Sequence, residues 1–332
     1  MNKRALNIGV SLIVAGLFIW LAIRNVDLSE LGSLITSVSL HWVPLFVAVL
    51  LTSHFIRAER WRLLLKEDQR YVSRSTLFAG VMLGYFVNNF IPRLGEVSRP
   101  IYVAKKNDLS TGNLIGTIVL ERLVDVFSMF LIVGFVAVYL SKDFGLLEQM
   151  FGIDQWSRLV YLVIPVFLIL CIFIIWLVYR LLSNLEKRNA IRSPLLMKIL
   201  EILKSFTEGM NSLRNVNNWP VFLLFTGAIW LGYILMAWLP FSMLDLGREF
   251  SLGFNDAMVL TIVSSIGVSI PTPAGIGSYH LLIQQSMWLL YSVPLSTALT
   301  YATVTHAATF LVVLVFAPIA LWWDKYYTLK SA

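Results

Sequence analysis

The sequence predicts an all-α integral membrane protein with about six full transmembrane spans and two re-entrant helical hairpins, arranged as an inverted-topology repeat. The first observation is composition. Hydrophobic residues make up 58% of the chain and charged residues 14%, whereas soluble domains carry roughly 25% charged residues. The second observation is that two long apolar segments are interrupted by Pro, Gly and charged residues. The third is the distribution of Lys and Arg among the loops.

Six apolar runs are long enough to cross a bilayer, which takes about 20 residues. The first follows Lys3 and Arg4 but lacks a small-x-small cleavage site, so we expect it to be retained as a span rather than removed as a signal peptide. Tryptophan residues near the ends of the runs are typical of the membrane interface. The predicted spans are residues 5–23, 41–56, 111–140, 156–182, 219–244 and 295–323.

Two further apolar segments, 75–107 and 254–291, contain the interruptions. Irregular backbone and charge are tolerated at membrane depth only where protein or water surrounds them. Paired interruptions at corresponding places in two halves of a chain point to a transport site. The breaks carry an Ile-Pro pair followed by glycine in both cases, at Ile91, Pro92 and Gly95 and at Ile270, Pro271 and Gly275.

The basic loops favour hairpins over crossings at both interrupted segments. If each segment crossed once, the two main basic loops would lie on opposite sides of the membrane. If each segment enters and returns, both loops and both termini are cytoplasmic, as the positive-inside rule requires. We therefore predict a multi-pass protein of the plasma membrane. The loops contain Arg57, Arg60, Arg62, Lys66, Arg70 and Arg74, and Lys187, Arg188, Arg192, Lys198, Lys204 and Arg214.

This topology divides one membrane domain, residues 1–332, into two repeats of opposite orientation. Residues 1–143 read as two spans, a hairpin entering from inside and a span. Residues 154–326 read as two spans, a hairpin entering from outside and a span. Amphipathic stretches at 27–40 and 193–213 join the first two spans of each half. The order is that of an inverted-topology repeat.

The first interruption offers candidate ligands for a lipid head group. Arg93 and Arg99 can form charge-assisted, bidentate hydrogen bonds to a phosphate group. Glu96 can pair with either arginine or bind a cationic group. The alternative is that these three charges neutralise one another at a buried turn.

The span that follows carries Glu121, Arg122 and Asp125. Glu121 lies about 15 Å into the span at 1.5 Å per residue, close to the middle of the bilayer. Glu121 and Asp125 share one helix face. Ionisable groups at that depth face protein or water. They either bind substrate or hold the first hairpin in place, for example by pairing Glu121 or Asp125 with Arg93.

The second interruption combines Gly275 and Gly277 with Tyr279 and His280. Free backbone amides at a helix that begins just after Gly277 favour an anionic group. The alternatives are a purely structural bend and a hydrogen-bonded packing role for His280. His306 is a weaker candidate in the middle of the last span.

Enzyme and cofactor signatures are absent from the sequence. His, Cys and carboxylate residues show no zinc-site spacing, and neither a P-loop nor a nucleophile elbow occurs. The net charge of +7 fits a cytoplasmic face against anionic lipid better than nucleic-acid binding. We therefore expect no enzyme activity, cofactor, metal or nucleic-acid partner. The expected partner is a membrane lipid with an anionic head group, and the oligomeric state stays open.

The chain resembles the flippase-like family, also called the lysylphosphatidylglycerol synthase transmembrane region family, in the runs FIPRLGEVSR (90–99), ERLVD (121–125) and PTPAGIG (271–277). The resemblance implies movement of lipids or lipid-linked head groups between leaflets. No aminoacyl-transfer domain is expected in this chain. Ser278, Tyr279 and His280 stand where the family pattern leads us to expect an acidic residue, which disfavours a cationic aminoacyl lipid.

The favoured interpretation is a lipid flippase or scramblase in which two re-entrant hairpins form a polar path. One alternative is an integral-membrane transferase acting on a polyprenyl-phosphate sugar through Glu96, Glu121 and Asp125. Another is a small-solute transporter that uses the same polar path between the two hairpins.

Overall fold

The computed structural model describes residues 3–65, 71–140 and 218–331, together with residues 180, 184 and 216. Almost all of these residues are helical, and no strand occurs among them. The all-α prediction is therefore confirmed. The predicted span 156–182, the stretch 193–213 and the second basic loop lie outside the described residues.

The first two predicted spans are helices. α1 covers Lys3–Ile23. The short helix α2, Leu28–Thr36, is capped by the Asp27 carboxylate, which accepts bonds from two amides of its first turn. A 3₁₀ turn at Leu40–Trp42 leads into α3, Val43–Leu64, which continues well past the predicted end of the second span at residue 56.

The first interrupted segment forms two helices joined by a tight turn. α4 covers Arg74–Phe90, and α5 covers Gly95–Asn107. We call the residues between them, 91–94, the first tip. Arg93 has a φ of 64° there, a left-handed conformation that residues other than Gly adopt rarely. The left-handed residue at the first tip helps to reverse the chain.

α5 runs back along α4, with glycine at the closest approach. A Cβ added to Gly95 would lie 1.9 Å from the Gly84 carbonyl oxygen. About one turn earlier in α4, a Cβ added to Gly80 would lie 3.0 Å from a methyl group of Val103, which is further along α5. Contact positions fall along α4 as they rise along α5, so the two helices form an antiparallel pair. We call α4 and α5 the first helix pair.

The next two long helices precede and follow the longest gap in the described residues. α6 covers Thr111–Leu140 and begins at the residue that the sequence predicts. α7 covers Trp219–Met243 and is followed by the short helix α8, Leu246–Glu249. α3 and α7 pack closely. A Cβ added to Gly232 of α7 would lie only 2.9 Å from the Ser53 Cβ of α3.

The second interrupted segment also forms two packed helices. α9 covers Phe254–Ser269 and α10 covers Ser278–Tyr291. Residues 270–277 between them are called the second tip, and α9 and α10 the second helix pair. α10 begins directly after Gly277, as the sequence predicts. A Cβ added to Gly267 would lie 2.9 Å from the Tyr279 Cα, so glycine again sits where two helices meet.

α11, Leu295–Ser331, packs against α2, α4 and α10. Its Asp324 is buried and ties the helix to the first helix pair. The Asp324 carboxylate accepts hydrogen bonds from the Thr76 hydroxyl at 2.7 Å and the Tyr102 hydroxyl at 2.5 Å, and it lies 2.5 Å from the Lys106 ammonium group. The end of α11 is therefore anchored to both helices of that pair.

By length and composition, three helices among the described residues can cross a membrane: Leu40–Leu64, Trp219–Met243 and Leu295–Tyr326. Ile13–Ile23 and Phe254–Ser269 are apolar but shorter. The membrane class is thus supported by the structure. The count of about six spans remains a prediction.

Candidate functional site

Two arginines of α3 lie inside the protein. Arg57 and Arg60 are one turn apart, and both are buried. We predicted both residues in a cytoplasmic basic loop; the loop assignment is wrong, because α3 continues through both residues to Leu64. The fold accepts the two charges because carboxylates of α6 lie within reach, and a buried charge needs such a partner.

α6 supplies those carboxylates. Glu121 is fully buried and pairs with Arg57 through its Oε1 atom. Asp125, one turn further along α6, accepts a hydrogen bond from Arg60 at 2.7 Å and one from Arg57 at 3.1 Å. The predicted common face of Glu121 and Asp125 is therefore the face turned towards α3.

Arg99 of α5 binds the same carboxylate. Its Nη1 atom donates to Glu121 Oε1 at 3.2 Å, and its Nη2 atom lies 3.1 Å from Glu121 Oε2. The guanidinium carbon lies 4.0 Å from the centre of the Trp61 ring, an arrangement that favours a cation–π interaction. We call the five charged residues contributed by α3, α5 and α6 the charge cluster: Arg57, Arg60, Arg99, Glu121 and Asp125.

The suggestion that Glu121 or Asp125 pairs with Arg93 is wrong. α5 begins at Gly95, so Arg99 lies on its second turn and is buried against α6. Arg93 lies instead on the exposed first tip. Glu121 and Asp125 instead form ion pairs with arginines of α3 and α5.

Aromatic residues from three helices extend the charge cluster. The Tyr233 hydroxyl of α7 accepts a hydrogen bond from Arg57 at 2.5 Å. The Tyr85 hydroxyl of α4 lies 3.4 Å from the Tyr233 hydroxyl. The ring of His54 stacks on Tyr85 with 4.1 Å between ring centres. Helices α3, α4, α6 and α7 therefore meet around one polar interior.

Another ion pair, formed by Glu96 and Arg122, lies beside the charge cluster and is partly exposed to solvent. Arg122 Nε lies 3.4 Å from Glu96 Oε1, and both side chains are 41% exposed. Arg122 also lies 3.7 Å from Asp125, so the pair is connected to the buried charges. We call Glu96 and Arg122 the rim pair. It borders a small pocket lined also by Val81, Gly84, Tyr85, Asn88, Gly95, Arg99 and Ile118.

The two tips touch each other. Arg93 on the first tip donates a hydrogen bond of 3.2 Å to the carbonyl oxygen of Ser269, at the end of α9. α4 also contacts the 3₁₀ turn of the second tip, Pro273–Gly275. The two interrupted segments, which are far apart in the sequence, are therefore joined at their broken ends.

The second tip is held by backbone geometry that glycine permits. Its residues with positive φ are Ala274 at 53°, Gly275 at 76° and Gly277 at 86°. A Cβ added to Gly277 would lie 2.6 Å from the carbonyl oxygen of Ala15, so α1 packs directly on the tip. The hydroxyl of Ser278 donates to the Gly267 carbonyl at 2.8 Å and closes the pair at the start of α10.

Two histidines and a tyrosine gather beside the second tip. His306 Nε2 lies 2.9 Å from the carbonyl oxygen of Ala274. The rings of His280 and His306 are 4.9 Å apart between centres, and Tyr279 packs on both. His280 Nδ1 accepts a bond from the Gly277 amide at 3.4 Å. These contacts give His280 and His306 structural partners at the tip.

Nine of the ten predicted site residues fall into two groups, and the tenth connects the two tips. Five of them form one network of ion pairs: Glu96, Arg99, Glu121, Arg122 and Asp125. Four surround the second tip: Gly275, Gly277, Tyr279 and His280. Arg93 links the two tips. Within the described part of the chain, no group of three His, Cys, Asp or Glu residues could hold a metal ion.

Sequence reasoning missed Arg57, Arg60 and Tyr233. A signal for the arginines was present, because Arg57 and Arg60 are three residues apart at the end of an apolar run, and Glu121 and Asp125 are four apart in another. Opposite charges that are spaced by about one helical turn in two apolar helices indicate a buried pairing. Tyr233 is one aromatic residue in an aromatic-rich span and gives no such signal.

Comparison with known proteins finds membrane proteins that are similar to this chain. The model of the family described as "Lysylphosphatidylglycerol synthase TM region" matches residues 8–317. A protein of Methanocaldococcus jannaschii named a "UPF0104 membrane protein" is 26% identical over 285 residues, which cover 81% of each chain. A second protein of that organism with the same type of name is 28% identical over 195 residues, 58% of this chain and 74% of the relative. No solved structure matches significantly.

Proposed function

The chain belongs to the lysylphosphatidylglycerol synthase transmembrane region family, and on that premise we propose that it moves a lipid between membrane leaflets as a flippase or scramblase. The substrate is a phospholipid or a polyprenyl-phosphate-linked head group. The observation that carries the proposal is the half-exposed rim pair, Glu96 and Arg122, which connects an open pocket to buried charges on membrane helices. Such charges mark substrate paths by default.

A head group and its acyl chains need different surroundings during translocation. The inner face of α6 offers charge at Glu121 and Asp125, whereas Val126, Phe127 and Leu131 on the same helix are exposed and apolar. In the proposed movement the head group follows the charged face of α6 while the acyl chains remain in lipid beside the apolar face. No wide aqueous channel is needed for this kind of movement.

The helix contacts support a division of the chain into two equivalent repeats. Exchange of α3, α4, α5 and α6 with α7, α9, α10 and α11 converts one set of observed contacts into another. The contact of α3 with α4 corresponds to α7 with α9, α5 with α6 to α10 with α11, and α4 with α11 to α9 with α6. The close contact of α3 with α7 corresponds to itself. In this arrangement the helix pairs enter from opposite sides and meet at their tips, and one half rocks against the other.

The transferase alternative requires a carboxylate that is free to act as a base. Glu121 and Asp125 both accept bonds from arginines of the charge cluster, so neither carboxylate is free to take a proton from a substrate. Glu96 pairs with Arg122. These contacts favour a binding role over general base catalysis. A small-solute transporter remains the other candidate, and the choice of substrate in the assay below separates it from lipid movement.

Arg93 gives the test of the proposed function. We predicted Arg93 as a phosphate ligand, and its contact with Ser269 places it where the two tips meet. Arg93→Gln is expected to abolish movement of a fluorescent phospholipid in proteoliposomes. Arg93→Lys keeps the charge but loses the bidentate geometry, so movement should be slow. Because Arg93 is exposed, both variants should melt in detergent near the wild-type temperature.

Arg24→Gln serves as the matched control, because Arg24 is an exposed arginine just after α1 and far from the charge cluster in the sequence. This variant should move lipid at the wild-type rate. Wild-type protein that leaves the lipid in its original leaflet while it carries small solutes would refute lipid movement as the function. Full activity of Arg93→Gln would remove Arg93 from the path.

A further inference from the structure

We propose that the pocket beside the rim pair binds a phosphate group, and that Glu96 is an internal counter-ion which the phosphate displaces from Arg122. The proposal rests on the proposed function and names the chemistry of its substrate. Glu96 then acts as a substitute for the ligand in the empty protein. Arg122 and Arg99 are the residues that receive the phosphate.

The charge balance points to an anion. The charge cluster and the rim pair form one connected network of four arginines and three carboxylates. Within the described ranges the network therefore carries one positive charge in excess. Excess charge in a poorly solvated interior is costly unless a partner of opposite sign is bound. When Glu96 turns away from Arg122, four arginines remain with two carboxylates, so two positive charges are uncompensated. Two of these arginines, Arg99 and Arg122, line the pocket.

Arg99 provides a buried donor at the pocket. It is 4% exposed and lines the pocket together with Arg122. Its Nε atom is buried and has no hydrogen-bond acceptor among the described residues. A buried guanidinium nitrogen without an acceptor is unusual in a folded protein. A phosphate oxygen in the pocket would satisfy this donor capacity.

The rim pair can open at low cost. Its distance of 3.4 Å and its exposure of 41% on both sides describe an ion pair screened by solvent, which contributes little to stability. A phosphate group offers more acceptor oxygens than a carboxylate, and arginine binds it with two parallel hydrogen bonds. Exchange of the Glu96 carboxylate for a phosphate is therefore favourable at Arg122, and it leaves Glu121 and Asp125 bound to the other arginines.

The experiment measures binding to the full chain in detergent by calorimetry, with two probes. Sodium phosphate tests a free ion, and dihexanoyl phosphatidylglycerol tests a lipid head group. Arg122→Gln should weaken binding about tenfold or more, the usual effect of losing one charge-assisted bond. Glu96→Gln should tighten binding by a factor of about three to ten, because the competitor is gone while the shape remains. The opposite signs of these changes identify a displaced counter-ion.

Glu249→Gln is the control for net charge, since Glu249 is exposed at the end of α8 and outside the network. It adds the same charge as Glu96→Gln and should leave binding unchanged. Tightening by Glu96→Gln for both probes supports a general phosphate site, and tightening for the lipid alone supports a lipid site. If the Glu96→Gln variant binds both probes no more tightly than the wild-type protein does, the proposal is overturned.

Failure of the binding site and failure of the function can be told apart. Binding with the predicted signs but without lipid movement in proteoliposomes would leave the phosphate site and refute the flippase. Lipid movement by a wild-type protein whose Glu96→Gln variant shows no tighter binding would refute the displacement and leave the flippase.

Discussion

Glu121→Gln is expected to destabilise the folded protein by about 3–5 kcal/mol, the usual cost of removing one partner from a buried ion pair. Glu121 is fully buried and lies between Arg57, Arg60 and Arg99. The glutamine keeps the shape but leaves three buried arginines with Asp125 as their nearest carboxylate. Thermal unfolding in detergent should show the loss as a clearly lower midpoint.

The matched control is Glu249→Gln, because Glu249 is an exposed residue at the end of α8. This change should alter stability by no more than about 0.5 kcal/mol. The double variant Glu121→Gln/Arg99→Gln removes one of the stranded charges and should recover part of the loss, as coupled residues do in a double-mutant cycle. A wild-type midpoint for Glu121→Gln alone would show that the charge cluster does not hold these helices together.

Gly95→Ala is expected to separate α5 from α4 and to abolish lipid movement. The added Cβ would lie 1.9 Å from the Gly84 carbonyl oxygen and 2.7 Å from Asn88 Oδ1. The first of these atoms belongs to the backbone and cannot rotate away. Overpacking of this kind costs about 1–3 kcal/mol, and displacement of α5 would also move Glu96 and Arg99 out of the pocket. Melting in detergent and proteoliposome assays measure the two effects.

Gly116→Ala makes the same substitution in α6, where no atom lies within 4 Å of the added Cβ. Alanine is favoured over glycine in a helix by about 1 kcal/mol, so this control should be as stable as the wild type or slightly more stable. If Gly95→Ala behaves like Gly116→Ala, the close antiparallel contact of α4 and α5 is not required.

The helix boundaries were largely predictable because local sequence determines them. Pro92 and Gly95 end one helix and begin another, and Gly277 marks the start of α10, since these residues either lack an amide donor or adopt unusual backbone angles freely. The long helix α6 follows from its apolar run. The presence of both breaks could therefore be read from a single chain.

The partners of the charged residues were not predictable in the same way. A charge at the end of an apolar run marks a loop when it is solvated and a buried pair when another helix supplies the opposite charge. Arg57 and Arg60 belong to the second case because Glu121 and Asp125 lie opposite them. One alternative paired Arg93 with those carboxylates, whereas the observed contact of Arg93 is with Ser269, far along the chain. Only the packing of α3, α5 and α6 decides between these cases.

A lipid path between the tips requires that the two helix pairs enter the membrane from opposite sides. Single cysteines in a Cys171→Ser background test this requirement directly with a maleimide that cannot cross membranes. The exposed positions Tyr71 and Ser110 flank the first helix pair, and Ser251 and Ser292 flank the second. Cysteines at the first two positions should react only from the cytoplasmic side, and those at the other two only from outside. Reaction of positions 71 and 110 from opposite sides would mean that the first pair crosses the membrane, which would contradict the inverted repeat and the path built on it.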